Sequence, residues 1–326
     1  MRTDVLLHFD PGVPLEGNAT PGRRKSRTPD ERQRARMSKP AAEIDLPLEF
    51  VRELLVSQHP DLATEPIAEI TAGWDNAMFR LGSHMAIRLP RRSAAAALIK
   101  HEQRWLPLLQ HVLPLPVPTP IRIGQPRGAY PWSWSIVPWI DGETVERGQL
   151  SGDQAPVLAG FLEALHVTPP SLAPRNPYRG VPLAQRSPTF ARCVRALTQR
   201  GRSLDARLLR LWDAAIESPI DTAPTWIHGD LHARNVLAAN GRISGVIDWG
   251  DMAAGDRATD LAATWMLFSQ PDGREQVLQS CKSVSALTWR RARGWALLLA
   301  VVILESADPL HVTMAELTMQ RLLDGP

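Results

Sequence analysis

Three side chains between positions 230 and 248 carry the chemistry of this sequence. Asp230 lies in His228-Gly229-Asp230-Leu231-His232-Ala233-Arg234-Asn235, and Asp248 follows in Ile247-Asp248-Trp249-Gly250-Asp251. Together they offer two carboxylates and, at Asn235, a carboxamide. Between Asn235 and Asp248, Asn240-Gly241 separates two short apolar runs, Val236 to Ala238 and Ile243 to Ile247. Asn-Gly supplies the two positive-φ positions of a tight hairpin turn. The hairpin folds the chain back, so that Asn235, just before its first strand, comes beside Asp248, just after its second. An amide oxygen and a carboxylate are hard ligands that suit Mg²⁺ bound to nucleotide phosphates. Asp230, on the loop entering the hairpin, is left to orient an attacking hydroxyl or accept its proton. Phosphoryl transfer depends mostly on such positioning and charge neutralisation.

The elements around this stretch follow from periodicity. Leu46 to Gln58 reads as a helix with Leu48, Val51, Leu54 and Leu55 on one face. Five strand-like pieces come next: Ile67 to Thr71, Ala77 to Leu81, His84 to Leu89, Ile121 to Ile123 and Trp132 to Ile140. A helix from Ser93 to Leu109, with Ser93 as its cap, is inserted after the third strand. Beyond Asp141-Gly142-Glu143 the pattern turns helical. Ser151-Gly152-Asp153-Gln154 has the form of a capping box, and Val157 to Leu165 repeats at helical spacing. Pro169 to Pro182 is a proline-broken loop, followed by helices near Thr189–Leu197 and Leu204–Ile216. Asp260 can cap another helix, and the chain is helical to about Leu323.

Composition narrows the class. A chain of 326 residues is long enough for more than one core. The basic balance is local: residues 1–40 hold nine Lys or Arg against five Asp or Glu, while the remainder is close to neutral. Residues 1–40, broken by Pro and Gly, read as a basic, unstructured extension, with Met37 an alternative translation start. The neutral body excludes an electrostatic case for nucleic acid. Two cysteines, Cys193 and Cys281, are too few for a disulfide framework or a cysteine metal site and fit a reducing cytoplasm. The longest apolar run, Trp295 to Leu304, is far short of the roughly 20 residues of a membrane helix, so a buried core helix is expected.

His228 to Asn235, Ile247-Asp248-Trp249 and Gly255-Asp256-Arg257-Ala258-Thr259-Asp260-Leu261-Ala262 resemble the aminoglycoside phosphotransferase family. That family shares the protein-kinase-like fold with choline kinases and macrolide phosphotransferases. The gap from Asp230 to Asn235 also matches the protein-kinase catalytic loop, with Gly229 where those enzymes carry Arg. The resemblance covers roughly residues 60 to 270. It implies an α+β, two-lobed fold: a five-stranded antiparallel nucleotide lobe with one inserted helix (41–145) and a mainly helical catalytic and substrate lobe (146–326). It implies Asp230 as catalytic base and Asn235 and Asp248 as Mg²⁺ ligands. Asp260 resembles the aspartate that anchors the catalytic loop, with His228 bracing it, and Ile136 to Ile140, including Val137 and Trp139, resembles the hinge facing the purine. At the phosphate-binding lysine position of the third strand stands Arg88, with Glu102 as its expected ion-pair partner; Arg brings a planar fork where Lys is a point charge. The glycine-rich loop is reduced to Gly73, with Asp75 and Asn76 shaping the turn and Trp74 or Trp139 bordering the base.

The expected reaction is transfer of the γ-phosphoryl group of ATP or GTP to a hydroxyl of a small antibiotic-like or metabolite acceptor. Two readings compete. A kinase-like nucleotide-binding protein without turnover is motivated by Arg88 and the sparse glycine loop. A metal-dependent hydrolase would use His228 and His232, four apart, as a zinc pair. The segment Pro169–Asp221 has no acidic run, which argues against a polycationic acceptor. Asp251 has a functional and a purely structural reading in equal measure, and the oligomeric state is open.

Overall fold

The computed structural model describes residues 41–70, 75–146, 150–306 and 309–325. The basic extension, Met37, Gly73 and Trp74 therefore lie outside the described residues. Helix α1 (Leu48–Gln58) buries Val51, Leu54 and Leu55 in a cluster with Phe79, Leu81, Ile87, Trp134 and Ile136 of a five-stranded sheet. Its strands are β1 (Ile67–Ile70), β2 (Asn76–Leu81), β3 (Met85–Pro90), β4 (Arg122–Gly124) and β5 (Trp134–Pro138). They run in the order β1-β2-β3-β5-β4, and every neighbouring pair is antiparallel. Arg88 therefore stands on a central strand, opposite Met78 on one side and Ser135 on the other.

Helix α2 (Ser93–Leu109) follows β3. Its cap differs from the sequence expectation: the Ser93 side chain does not cap the helix. The Glu43 carboxylate accepts from the Ser93 amide and the Ser93 hydroxyl, each at 3.0 Å. A carboxylate there also complements the positive end of the helix dipole. One side of α2 turns Glu102 towards Arg88. Another buries Trp105, Leu106 and Leu109 in the large cluster of the helical part, which includes Phe161, Trp249, Trp265 and Trp295. Trp105 meets Trp226 edge to face, with centroids 5.2 Å apart.

A two-residue strand, β6 (Glu143–Thr144), comes where the strand pattern was expected to stop; it pairs with β8 (Val236–Ala239). The capping box at Ser151 does not form either. The Ser151 hydroxyl turns to Asp153 and to the Gly241 carbonyl, and the Gln154 amide oxygen accepts from the Ile243 amide at 3.0 Å. These bonds tie the start of α3 (Ala155–Leu165) to the hairpin tip. Helices α4 (Ser187–Gln199) and α5 (Ala206–Ile216) follow the proline-broken loop. Strand β7 (Thr225–Ile227) pairs with β10 (Ala253–Gly255), and the β8–β9 hairpin (β9, Arg242–Val246) lies between them in sequence. After short α6 (Ala258–Leu261) and α7 (Ala263–Leu267) come α8 (Pro271–Ser280), α9 (Ala286–Ser306) and α10 (Pro309–Leu323). Trp295 to Leu304 are buried throughout, so α9 is the core helix expected of that run. Among the described residues no helix is long and apolar enough to cross a membrane.

Gly124 and Trp134 face each other in the β4–β5 register, and the indole lies on the glycine backbone. A Cβ at position 124 would fall 1.8 Å from the Trp134 ring. Gly124→Ala is expected to destabilise the chain by about 1–3 kcal/mol through overpacking. Urea denaturation measures this; an unchanged midpoint would mean that Trp134 does not rest there.

Candidate active site

The segment from His228 to Asn235 is a loop whose shape is imposed by two features. Gly229 has φ 87°, and a Cβ there would lie 2.5 Å from the Asp251 carbonyl oxygen. The site that protein kinases fill with Arg thus admits only glycine here. The second feature is Asp260. It does not cap α6 but sits inside it, and its carboxylate accepts from the His228 amide at 2.7 Å and the Gly229 amide at 2.8 Å. His166 Nε2 lies 3.3 Å from the same carboxylate.

Both histidines are consumed by the loop. His228 Nε2 is 3.0 Å from the Ile247 carbonyl oxygen, so that nitrogen carries the proton, and Nδ1 accepts from the Asp230 amide at 3.3 Å. Burial pushes its pKa down, favouring this neutral form. His232 Nδ1 accepts from the Arg234 amide, and its Nε2 is 3.3 Å from Asp230 Oδ2. The two rings lie on a loop rather than a helix and face different partners. Among the described residues no three His, Cys, Asp or Glu side chains form a group able to hold a metal. The zinc-pair reading is thereby corrected.

Asp230 is 1% exposed. Its Oδ1 accepts from Arg179 Nη2 at 2.6 Å. Burial alone would raise this carboxyl; the Arg179 guanidinium outweighs it and, with His232, holds Asp230 well below the usual carboxylate range. Arg179 comes from the Pro169–Pro182 loop and escaped the sequence reading. Nothing in a proline-rich segment 51 residues upstream marks one arginine as a neighbour of Asp230. The loop is pinned around it. Asn176 Nδ2 donates to Asp251 Oδ1 at 2.7 Å, the Gly180 amide to Thr259 Oγ1 at 3.1 Å, and the Asp256 amide to the Gly180 carbonyl at 2.8 Å. Asp251 thus secures this loop, and its Oδ2 lies 3.8 Å from Arg179 Nε.

The hairpin forms as its sequence dictates. Asn240 (φ 52°) and Gly241 (φ 74°) occupy the left-handed turn positions. The Ile247 amide donates to the Asn235 carbonyl at 2.8 Å, which puts Asn235 one residue from Asp248 across the ladder. Asn235 Nδ2 donates to the Asp230 carbonyl at 2.9 Å. That bond sets the orientation of the amide and leaves its oxygen as the acceptor. Asp248 adopts φ 65°, a conformation uncommon outside glycine. Its Oδ1 accepts from Arg88 Nη2 at 2.8 Å, while Arg88 Nη1 donates to Glu102 at 2.7 Å. Burial works against the Arg88 charge, but the two carboxylates override it and raise its pKa.

Around this centre the remaining predicted residues are more scattered. Val137 is buried in β5 opposite Ala86. The Trp139 amide donates to the His84 carbonyl at 2.7 Å and its ring lies under the Arg80 guanidinium, 3.9 Å away, so both are engaged within the sheet region. Ile140 packs on the backbone of Gly245. Asn76 is buried in β2 opposite Pro90. The neighbouring Asp75 is ion-paired with Arg92. The structure thus brings Asp230, Asn235, Asp248, Arg88, Glu102, His228 and Asp260 into one connected network, with Val137, Trp139 and Ile140 on the strand end and the segment leaving it.

A model of the phosphotransferase enzyme family (APH) matches residues 66–295. No curated protein matches the chain. Solved structures share its fold. The GDP and kanamycin complex of APH(2'')-IIIa superposes with a TM-score of 0.61 at 17% identity, covering 86% of this chain and all of that one. Macrolide 2'-phosphotransferase type I gives 0.56 at 21% identity, covering 84% and 98%. Macrolide 2'-phosphotransferase MphH from Brachybacterium faecium, without ligand, gives 0.55 at 17%, covering 86% and 98%.

The Asp260 carboxylate is buried and accepts from two backbone amides, so its role can be separated from its shape. Asp260→Asn keeps the size but turns one accepting oxygen into a donor against a backbone N–H. A loss of about 2–4 kcal/mol is expected, from an unsatisfied buried amide and a lost charge-assisted bond. Guanidinium denaturation checks it; a loss under 0.5 kcal/mol would dismiss Asp260 as the anchor of the loop.

Proposed function

The chain belongs to the phosphotransferase enzyme family, and from that premise we propose that it moves the γ-phosphoryl group of ATP or GTP, with Mg²⁺, to a hydroxyl of a small molecule. The observation that carries this reading is the joining of Asp230, Asn235 and Asp248 on one hairpin, with the Arg88–Glu102 pair bonded to Asp248. In this reading residues 41–145 act as the nucleotide lobe and 146–326 as the catalytic and substrate lobe. Neighbours of the same fold were solved with GDP, ADP and ATP, which supports a purine nucleotide without choosing between adenine and guanine.

The donor set fits Mg²⁺: a carboxamide oxygen fixed by its own Nδ2 bond, and a carboxylate at the end of the next strand. Asn235 and Asp248 would hold the ion, which neutralises phosphate charge. Asp230 receives the acceptor hydroxyl through one carboxylate oxygen, aligns it with the phosphorus and takes its proton as the new P–O bond forms. The nucleoside diphosphate departs as the old bond breaks. Asp230 is held ionised by Arg179, so its main contribution is alignment of the hydroxyl rather than strong basicity. Arg88 keeps Asp248 and Glu102 in register and presents positive charge beside the phosphates. In this reading Val137, Trp139 and Ile140 line the hinge side, and Asn76, the first residue of β2, serves the phosphate side. Cys193 and Cys281 are both free thiols, consistent with work in the reducing cytoplasm.

Two substitutions test this assignment. Asp230→Ala is expected to lower kcat by at least about 10²-fold while leaving nucleotide affinity nearly intact. A coupled nucleotide-consumption assay over hydroxylated acceptors, with ATP and with GTP, measures the first, and calorimetry the second. Near-normal turnover in that variant would remove Asp230 from the role. Arg88→Ala removes the cation shared by Glu102 and Asp248. It is expected to raise the nucleotide KM at least tenfold, and an unchanged KM would take Arg88 off the phosphate side.

A further inference from the structure

Between Ala164 and Leu204 the chain contains seven arginines and neither Asp nor Glu. Three of these arginines sit on the loop over the candidate base or just after it. Arg175 is exposed. Arg179 is 5% exposed and donates to Asp230 at 2.6 Å, with Asp251 3.8 Å away on its other side. Arg186, also buried, lies with its guanidinium 5.2 Å from the Tyr178 ring centre. Burial first, then the nearby Arg179 charge, push the Arg186 pKa down, so the two cations sense each other. Arg179 lies against two carboxylates at the base, Asp230 and Asp251.

An ammonium group next to the reacting hydroxyl would meet Arg179 at close range and would have to displace it to reach Asp230 or Asp251. At such separations in a partly desolvated site, like-charge repulsion decides between ligands. An uncharged neighbour of the hydroxyl meets no such barrier. We propose that Arg179 is a specificity-determining residue that reserves this site for hydroxyl compounds uncharged beside the reacting hydroxyl and excludes acceptors carrying an ammonium group there. The inference rests on Asp230 being the group that aligns the hydroxyl. It deepens that reading by assigning the acceptor class, and it separates this chain from its structural neighbour solved with kanamycin.

The test is calorimetric titration of the full-length protein with the polycationic aminoglycoside kanamycin, comparing wild type with Arg179→Gln and Arg179→Lys. Wild type and Arg179→Lys are expected to show no binding up to millimolar kanamycin. Arg179→Gln, which uncovers Asp230 and Asp251, is expected to bind at least tenfold tighter than wild type. Micromolar binding by wild type overturns the proposal, as does an Arg179→Gln variant that gains nothing. Thermal unfolding of each variant separates loss of fold from loss of charge. If Arg179→Gln does not fold, the acceptor panel on wild type decides: phosphorylation of amine-bearing acceptors at rates matching neutral ones overturns it. The titration requires no turnover, so its outcome is independent of the Asp230→Ala assay that tests the reaction itself.

Discussion

A single guanidinium holds the working parts together. Arg88 leaves the central strand of the sheet, bonds Glu102 on the adjacent helix, and reaches Asp248 just beyond the β8–β9 hairpin. A buried cation needs its compensating charges, since removing one partner of such a pair typically costs about 3–5 kcal/mol. Arg88 has two, and its planar fork serves both at once, which the point charge of a lysine does with less geometric definition. The departure from the usual lysine is therefore a coherent arrangement. The side chain that breaks the sequence pattern is the one that joins the N-terminal sheet to the helical part.

The loop from His228 to Asn235 is held for a related reason. Its backbone amides are used by Asp260 and by the two histidines, and its one glycine is pressed against Asp251. Each bond is buried, and a buried amide without a partner is expensive. The loop has little freedom to take another shape, so Asp230 is presented in one orientation. The network is also electrostatically self-contained. Both histidines of the loop accept from backbone amides, and the charged groups are matched: Asp230 by Arg179, Asp248 by Arg88.

Much of this was legible in the sequence, and what was not has physical causes. The five strands and α2 announce themselves by alternation and by helical spacing, and Asn240-Gly241 announces the hairpin because few other residue pairs accept two positive φ values. Asp230, Asn235, Asp248, Arg88 and Glu102 were readable because motif spacing along the chain survives folding. The cap at Ser93 and the capping box at Ser151 were misread. Both patterns are local, and tertiary partners, Glu43 in one case and the hairpin tip in the other, outbid them. Strand β6 was hidden because two residues carry no period. Arg179 was invisible because its meaning lies wholly in what it touches. Asp260 had two sequence readings, cap and anchor, and its place inside α6 leaves the cap without a geometry.

The hairpin between Asn235 and Asp248 has a consequence for how the site is assembled. The entropy of closing a loop rises with its length. The two oxygen-bearing residues are neighbours by virtue of a short local turn, whereas Arg88 reaches Asp248 across 160 positions of chain. Their closeness is set by the turn itself, whereas the contact with Arg88 depends on how the sheet and the hairpin are placed. Damage to the distant contacts therefore degrades the setting of the pair before it degrades the pair itself.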